Sequence, residues 1–146
     1  MYGNGINAYR QTSVTTATPG RLVLMCYEGA ISSLKTARKN YISGEYEAKA
    51  KTIQKAQNII SELIVALDFE KGGKIAGNLE SLYNYMLRRI IEGDVKKDVK
   101  ALDEVILMLS ELESAWKEIF RIPENFSFSH DTGQKKSADS RAAGAY

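Results

Sequence analysis

The chain carries two prolines, Pro19 and Pro123, and the 103 residues between them hold none. A proline inside a helix costs about 3 kcal/mol and removes a hydrogen bond from the ladder, so this stretch is free to form long helices. The glycines Gly44, Gly72–Gly73 and Gly93 divide it into four pieces, each long enough for roughly five helical turns or more. Thr18 ahead of Pro19 offers a hydroxyl cap followed by proline at the first helical position. Asp94 after Gly93 is placed to cap the fourth piece in the same way.

Apolar spacing agrees with four helices. Val23, Tyr27, Ala30, Leu34, Ala37 and Tyr41 recur at three- and four-residue steps in the first piece, and Ile53, Ala56, Ile60, Leu63 and Leu67 do so in the second. Ile75, Leu79, Leu82, Met86 and Ile90 mark the third, and Val99, Leu102, Ile106, Leu109 and Trp116 the fourth. Each set falls on one helical face, with no competing alternation of period two. Short joints force successive helices to run antiparallel, so the expected fold is all-α, an up-down four-helix bundle over residues 18–122. Residues 1–17 read as an extended N-terminal segment. Residues 123–146 are rich in Ser, Ala and Gly and are expected to be a disordered tail.

Charge and composition narrow the function. Residues 18–120 hold 15 basic and 15 acidic side chains, without the cationic excess of a domain that reads phosphate backbones; no nucleic acid is expected. The longest apolar run, Leu22 to Tyr27, is six residues, whereas a membrane-spanning helix needs about 20; no membrane insertion is expected. The N-terminus lacks a basic patch followed by an apolar core, so no secretory signal is read there. The lone Cys26 excludes an internal disulfide and fits a reducing compartment. A cytoplasmic protein is the expectation.

Bundles that carry chemistry need residues this chain lacks. Di-iron carboxylate sites use Glu-x-x-His pairs on facing helices, but the only histidine is His130, in the tail. Phosphotransfer needs a histidine on a helix, and zinc needs several Cys or His ligands. Gly72-Gly73-Lys74 lacks the upstream glycine and the following Ser or Thr of a phosphate loop, and reads better as a helix–helix turn. Cys26 has no helical histidine to activate it, so it reads as a small core residue. No enzyme, no cofactor and no metal are expected.

What the chain has in excess is apolar surface. The core stripe of the fourth helix is joined by Val105, Met108, Leu112, Ala115 and Ile119; together they span roughly 200°, about twice the arc a bundle seam requires. The third helix repeats this with Ala76, Tyr83, Leu87 and Ile91. Two readings stay open: long helices burying wide faces, or an exposed apolar groove. A groove of that kind takes an amphipathic partner helix.

Specific runs go further. Tyr9 to Thr12 with Val14 to Pro19, the run Leu22-Val23-Leu24-Met25-Cys26-Tyr27-Glu28-Gly29-Ala30-Ile31, the run Gly72-Gly73-Lys74-Ile75-Ala76 followed by Leu79 and Leu82-Tyr83-Asn84-Tyr85-Met86, and Ala115-Trp116 occur in this order. The ordered set, from about Tyr9 to Phe120, resembles the flagellar secretion chaperone family FliS. Departures are mild: Arg21 stands where an acidic residue is common, Cys26 where Leu is usual, and Asn84 where Asp is usual. The resemblance implies a cytoplasmic chaperone that binds the C-terminal segment of flagellin, prevents its premature polymerisation and presents it to the flagellar export apparatus. It also implies that the N-terminal segment, with Tyr9 matching the family's tyrosine, covers part of the groove in the free state. The residues expected at the partner surface are Ile6, Tyr9, Tyr83, Leu87, Ile91, Val105, Met108, Leu112 and Ile119. A homodimeric structural bundle, or an adaptor for another helical protein, is the alternative.

Overall fold

Each proline-free piece forms a helix, and a computed structural model of the chain describes them within residues 19–120 and 144–146. Helix α1 spans Pro19–Ile42, α2 Tyr46–Val65, α3 Phe69–Lys96 and α4 Val99–Phe120. Connections of two or three residues force consecutive helices antiparallel, and the chain is an up-down four-helix bundle. α1 packs on α2 and α4, and α3 closes the ring against the same two helices.

The helix ends differ instructively from the glycine pattern. Gly44 takes a left-handed φ of 80° and ends α1, with Glu45 N–H bonded to Asn40 O at 2.8 Å and Gly44 N–H to Tyr41 O at 3.1 Å. That pairing satisfies carbonyls that a helix end leaves open. α3, by contrast, begins before its glycine pair: the Asp68 carboxylate accepts the Lys71 N–H at 2.9 Å, which is N-cap geometry. Gly73 (φ 48°, ψ −122°) then kinks the helix after its first turn. Nor does Gly93 end α3. A Cβ there would fall 2.9 Å from the Ala101 Cβ, so this glycine lets α4 approach closely. Lys97, left-handed at φ 56°, ends the helix, and Asp94 pairs with Lys49 of α2 at 2.6 Å instead of capping α4.

Tyr27, Ala30 and Leu34 from α1, Ala56, Ile60 and Leu63 from α2, Met86 and Ile90 from α3, and Leu102, Leu109 and Trp116 from α4 form the core. On α3 the buried stripe is Ala76, Leu79, Tyr83, Met86, Ile90 and Gly93. Tyr83 thus takes the inner position expected of Leu82, which is 38% exposed.

Residues 1–18 and 121–143 lie outside the described residues, and with them Thr18 and most of the segment expected to be a disordered tail. The final residues Gly144–Tyr146 are described, and they pack on the bundle. Ala145 is fully buried, and its carbonyl accepts the Asp68 N–H at 2.7 Å.

Candidate functional site

The buried centre of one bundle end is a polar cluster with aromatic walls. The Tyr27 and Tyr83 hydroxyls share a hydrogen bond of 2.5 Å across the core. Trp116 Nε1–H donates to the Tyr27 hydroxyl at 3.1 Å, and the Tyr146 hydroxyl donates to that of Tyr83 at 2.7 Å. Three helices and the chain terminus therefore meet through four side chains. Burial pushes the phenols of Tyr27, Tyr83 and Tyr146 far above their ordinary value of 10.0, so all three stay protonated. Neutral phenols satisfying one another in an apolar surround are structural glue, not acid–base machinery.

Polar contacts on the surface fix which flank of each helix faces which neighbour. On α3, Tyr85 and Arg89 reach Glu104 of α4 at 2.6 and 2.7 Å. Those two contacts, that from Tyr85 foremost, hold the Glu104 carboxyl below its usual range. Asp94 of α3 reaches Lys49 of α2, and the Lys49 ammonium also lies 5.7 and 5.6 Å from the ring centroids of Tyr41 and Tyr46. Asp103 of α4 pairs with Arg38 of α1 at 2.7 Å. Side chains three or four residues apart share a helix face, so the apolar candidates can be assigned by their place relative to these pairs.

They do not form one surface. Leu87 and Ile91 lie seven and three residues before Asp94, on the flank of α3 turned toward α2. Met108 follows Glu104 by four residues and Leu112 by eight, and Ile119 continues the same stripe, on the flank of α4 turned toward α3. Leu87, Met108, Leu112 and Ile119 are half-buried against the core, while Ile91 is 51% exposed. Tyr83 and Val105 are fully buried and present nothing at the surface, because the wide apolar faces of α3 and α4 are used in part to build the core. Ile6 and Tyr9 lie outside the described residues.

Other apolar side chains stand at the surface that the periodicity did not single out, among them Val95 (73% exposed) on α3 and Leu107 (59%) on α4. For Leu107 a signal was present. Val105 to Leu109 is five apolar residues in a row, and such a run turns through more than a full circle, so one member must face outward. Among the described residues no group of His, Cys, Asp and Glu side chains is arranged to hold a metal ion. No helix there is long and apolar enough to cross a membrane.

Comparison with known proteins places these features in context. Residues 2–123 match the family described as flagellar protein FliS. The chain is 43% identical over 125 residues to the flagellar secretion chaperone FliS of Salmonella typhimurium, covering 82% of this chain and 93% of that protein. It is 39% identical over 124 residues to the flagellar secretion chaperone FliSB of Pseudomonas aeruginosa, covering 82% and 98%. With the Bacillus subtilis flagellar secretion chaperone FliS it shares 36% identity over 115 residues, 79% and 85% of the two chains. With a bundle of four helices, the ordered runs around Tyr27, Tyr83 and Trp116 and matches that span nearly the whole of these relatives, the chain belongs to the FliS family of flagellar proteins.

Proposed function

We propose that this chain is a flagellar export chaperone that holds the C-terminal segment of flagellin against the apolar flanks of α3 and α4, keeps it from polymerising early and delivers it to the export apparatus. The observation that carries the reading is the apolar surface left over after the bundle is built: Ile91, Val95 and Leu107 stand exposed, with Leu87, Met108 and Leu112 half-buried beside them. Exposed and half-buried apolar side chains of this kind, on more than one helix flank, favour a partner with amphipathic helices. A client that is unfolded when free loses ordering entropy on binding but can wrap more than one seam, which suits residues divided between the α2-facing flank of α3 and the α3-facing flank of α4. Ile6 and Tyr9 enter the proposal as a segment that covers part of this surface when no client is bound. The site of action is the cytoplasm.

Titration calorimetry with a flagellin C-terminal peptide tests the reading. Ile91→Glu and Met108→Glu each place a charge that must be desolvated on docking. Each is expected to weaken binding tenfold or more, about 1.4 kcal/mol, with the helical signal retained and, for the more exposed Ile91, the melting temperature unchanged. Absence of binding by the unaltered chain would overturn the function. Unchanged affinity in both variants would overturn the site. Self-association without uptake of the peptide would favour a homodimeric bundle.

A further inference from the structure

The last two residues of the chain sit in a notch that three elements build. The turn ahead of α3 donates the Asp68 N–H to the Ala145 carbonyl at 2.7 Å. In the first turn of α3, Gly72 leaves the space that Ala145 fills; a Cβ on Gly72 would fall 2.6 Å from the Ala145 Cα. α4 supplies the Trp116 ring, edge-on to Tyr146 with centroids 5.6 Å apart, and α3 supplies the Tyr83 hydroxyl that accepts from Tyr146. One dipeptide thus receives a backbone hydrogen bond, a cradle that admits only a small residue, an aromatic wall and a buried side-chain acceptor. Each feature reads a different property of the segment, and together they specify a small residue followed by tyrosine.

We infer that this notch is a binding site for a short peptide segment of the form small residue–tyrosine, with the chain's own C-terminus as a resident, exchangeable ligand. Covalent attachment to the same chain gives that ligand an effective concentration of roughly millimolar, so a contact as small as a dipeptide is occupied in cis although it is weak in trans. The latch opens when a competing segment is present and recloses when it leaves. Nothing in this inference depends on the identity of the client.

Trp116 is the chain's only tryptophan, so its fluorescence reports the notch directly. A chain ending at Ala143 and a full-length Tyr146→Ala variant are both expected to shift Trp116 emission to longer wavelength and to raise its quenching by acrylamide at least twofold, with the far-ultraviolet circular dichroism unchanged. Adding a nine-residue peptide of the sequence 138–146 to the shortened chain restores the original emission, whereas the same peptide carrying Tyr146→Ala does not. Full-length Gly72→Ala, which fills the cradle without removing any tail residue, reproduces the shift and tests the notch even if the shortened chain folds poorly. Emission unchanged in Gly72→Ala and Tyr146→Ala would overturn the docking. A shift that several millimolar peptide fails to reverse would overturn the exchangeable site.

Discussion

Tyr83 ties α1 and the docked terminus to α3 at the centre of the core. It is fully buried, lies edge-on to Tyr27 with centroids 6.4 Å apart, and its hydroxyl bonds both Tyr27 and Tyr146. Replacing it with phenylalanine removes one hydroxyl but leaves two others short of a partner, and a buried polar group so stranded costs about 1–3 kcal/mol. Tyr83→Phe is therefore expected to lower unfolding stability by that amount in a denaturant titration, more than the loss of a solvent-exposed hydroxyl would. The same burial sets an alkaline limit. Because the folded state holds the phenols of Tyr27, Tyr83 and Tyr146 above the 10.0 of an unfolded tyrosine, their contribution is intact below about pH 10 and falls as pH rises beyond it, where only the unfolded chain releases those protons. Phenolate absorbance followed beside circular dichroism checks this: these three tyrosines are expected to ionise together with unfolding, and ionisation of all three in a still-helical protein would contradict it.

At the scale of the elements, α3 bears most of the departures from ideal geometry. It is kinked at Gly73 and closed by Lys97 in a left-handed conformation, which costs a non-glycine residue about 1 kcal/mol. Asp98 N–H bonds Gly93 O at 2.8 Å, and the Tyr41 hydroxyl of α1 donates to the Lys97 carbonyl at 3.1 Å, so α1 helps to hold the strained residue. Lys97→Gly relieves the strain and is expected to raise stability by up to about 1 kcal/mol in thermal unfolding, partly offset by the greater freedom of glycine in the unfolded chain. The existence and order of the four helices were legible in the sequence, because proline spacing and apolar period act locally. Phase and boundaries were less so. Leu82 and Tyr83 differ by one position, and either extends a three-or-four-residue repeat; packing against Tyr27 decides in favour of Tyr83. Gly93 punctuates the sequence like a break, yet its role is close approach to Ala101, a tertiary fact. Leu87 and Met108 looked alike as surplus apolar residues, but which seam each flank faces depends on Lys49 and Glu104, which belong to other pairings. The docked terminus left no periodic signal at all, since Ala145 and Tyr146 are bound by contacts contributed from distant positions.

For the molecule as a whole, the up-down order gathers the start of α1, the turn between α2 and α3, the end of α4 and the docked terminus at one end. Gly20 lies directly against the Phe120 ring, where a Cβ would come within 2.6 Å, and Phe120 in turn stacks on Trp116 with centroids 5.0 Å apart. The opposite end carries the two remaining connections, the turn through Gly44 and the joint between α3 and α4 at Lys97 and Asp98. Helix-to-helix contacts are thus largely indifferent to which connection is covalent. Joining Tyr146 directly to Met1 and opening the chain between Ser43 and Gly44 gives a circular permutant in which residues 1–18 must cross only this end of the bundle, well within the reach of about 60 Å that 18 extended residues allow. Such a permutant is expected to keep the helical content and the Trp116 emission of the original, with a melting temperature lower by a few degrees for the loss of the Gly44 turn; failure to fold would mean that the α1–α2 connection directs assembly. The gathering of the ends also gives the protein a front and a back. A label, a bead or a fused domain attached at the Gly44 end would sit about a helix length of 36 Å, for 24 residues, from the docked terminus, leaving the terminal notch open to whatever approaches from the other side.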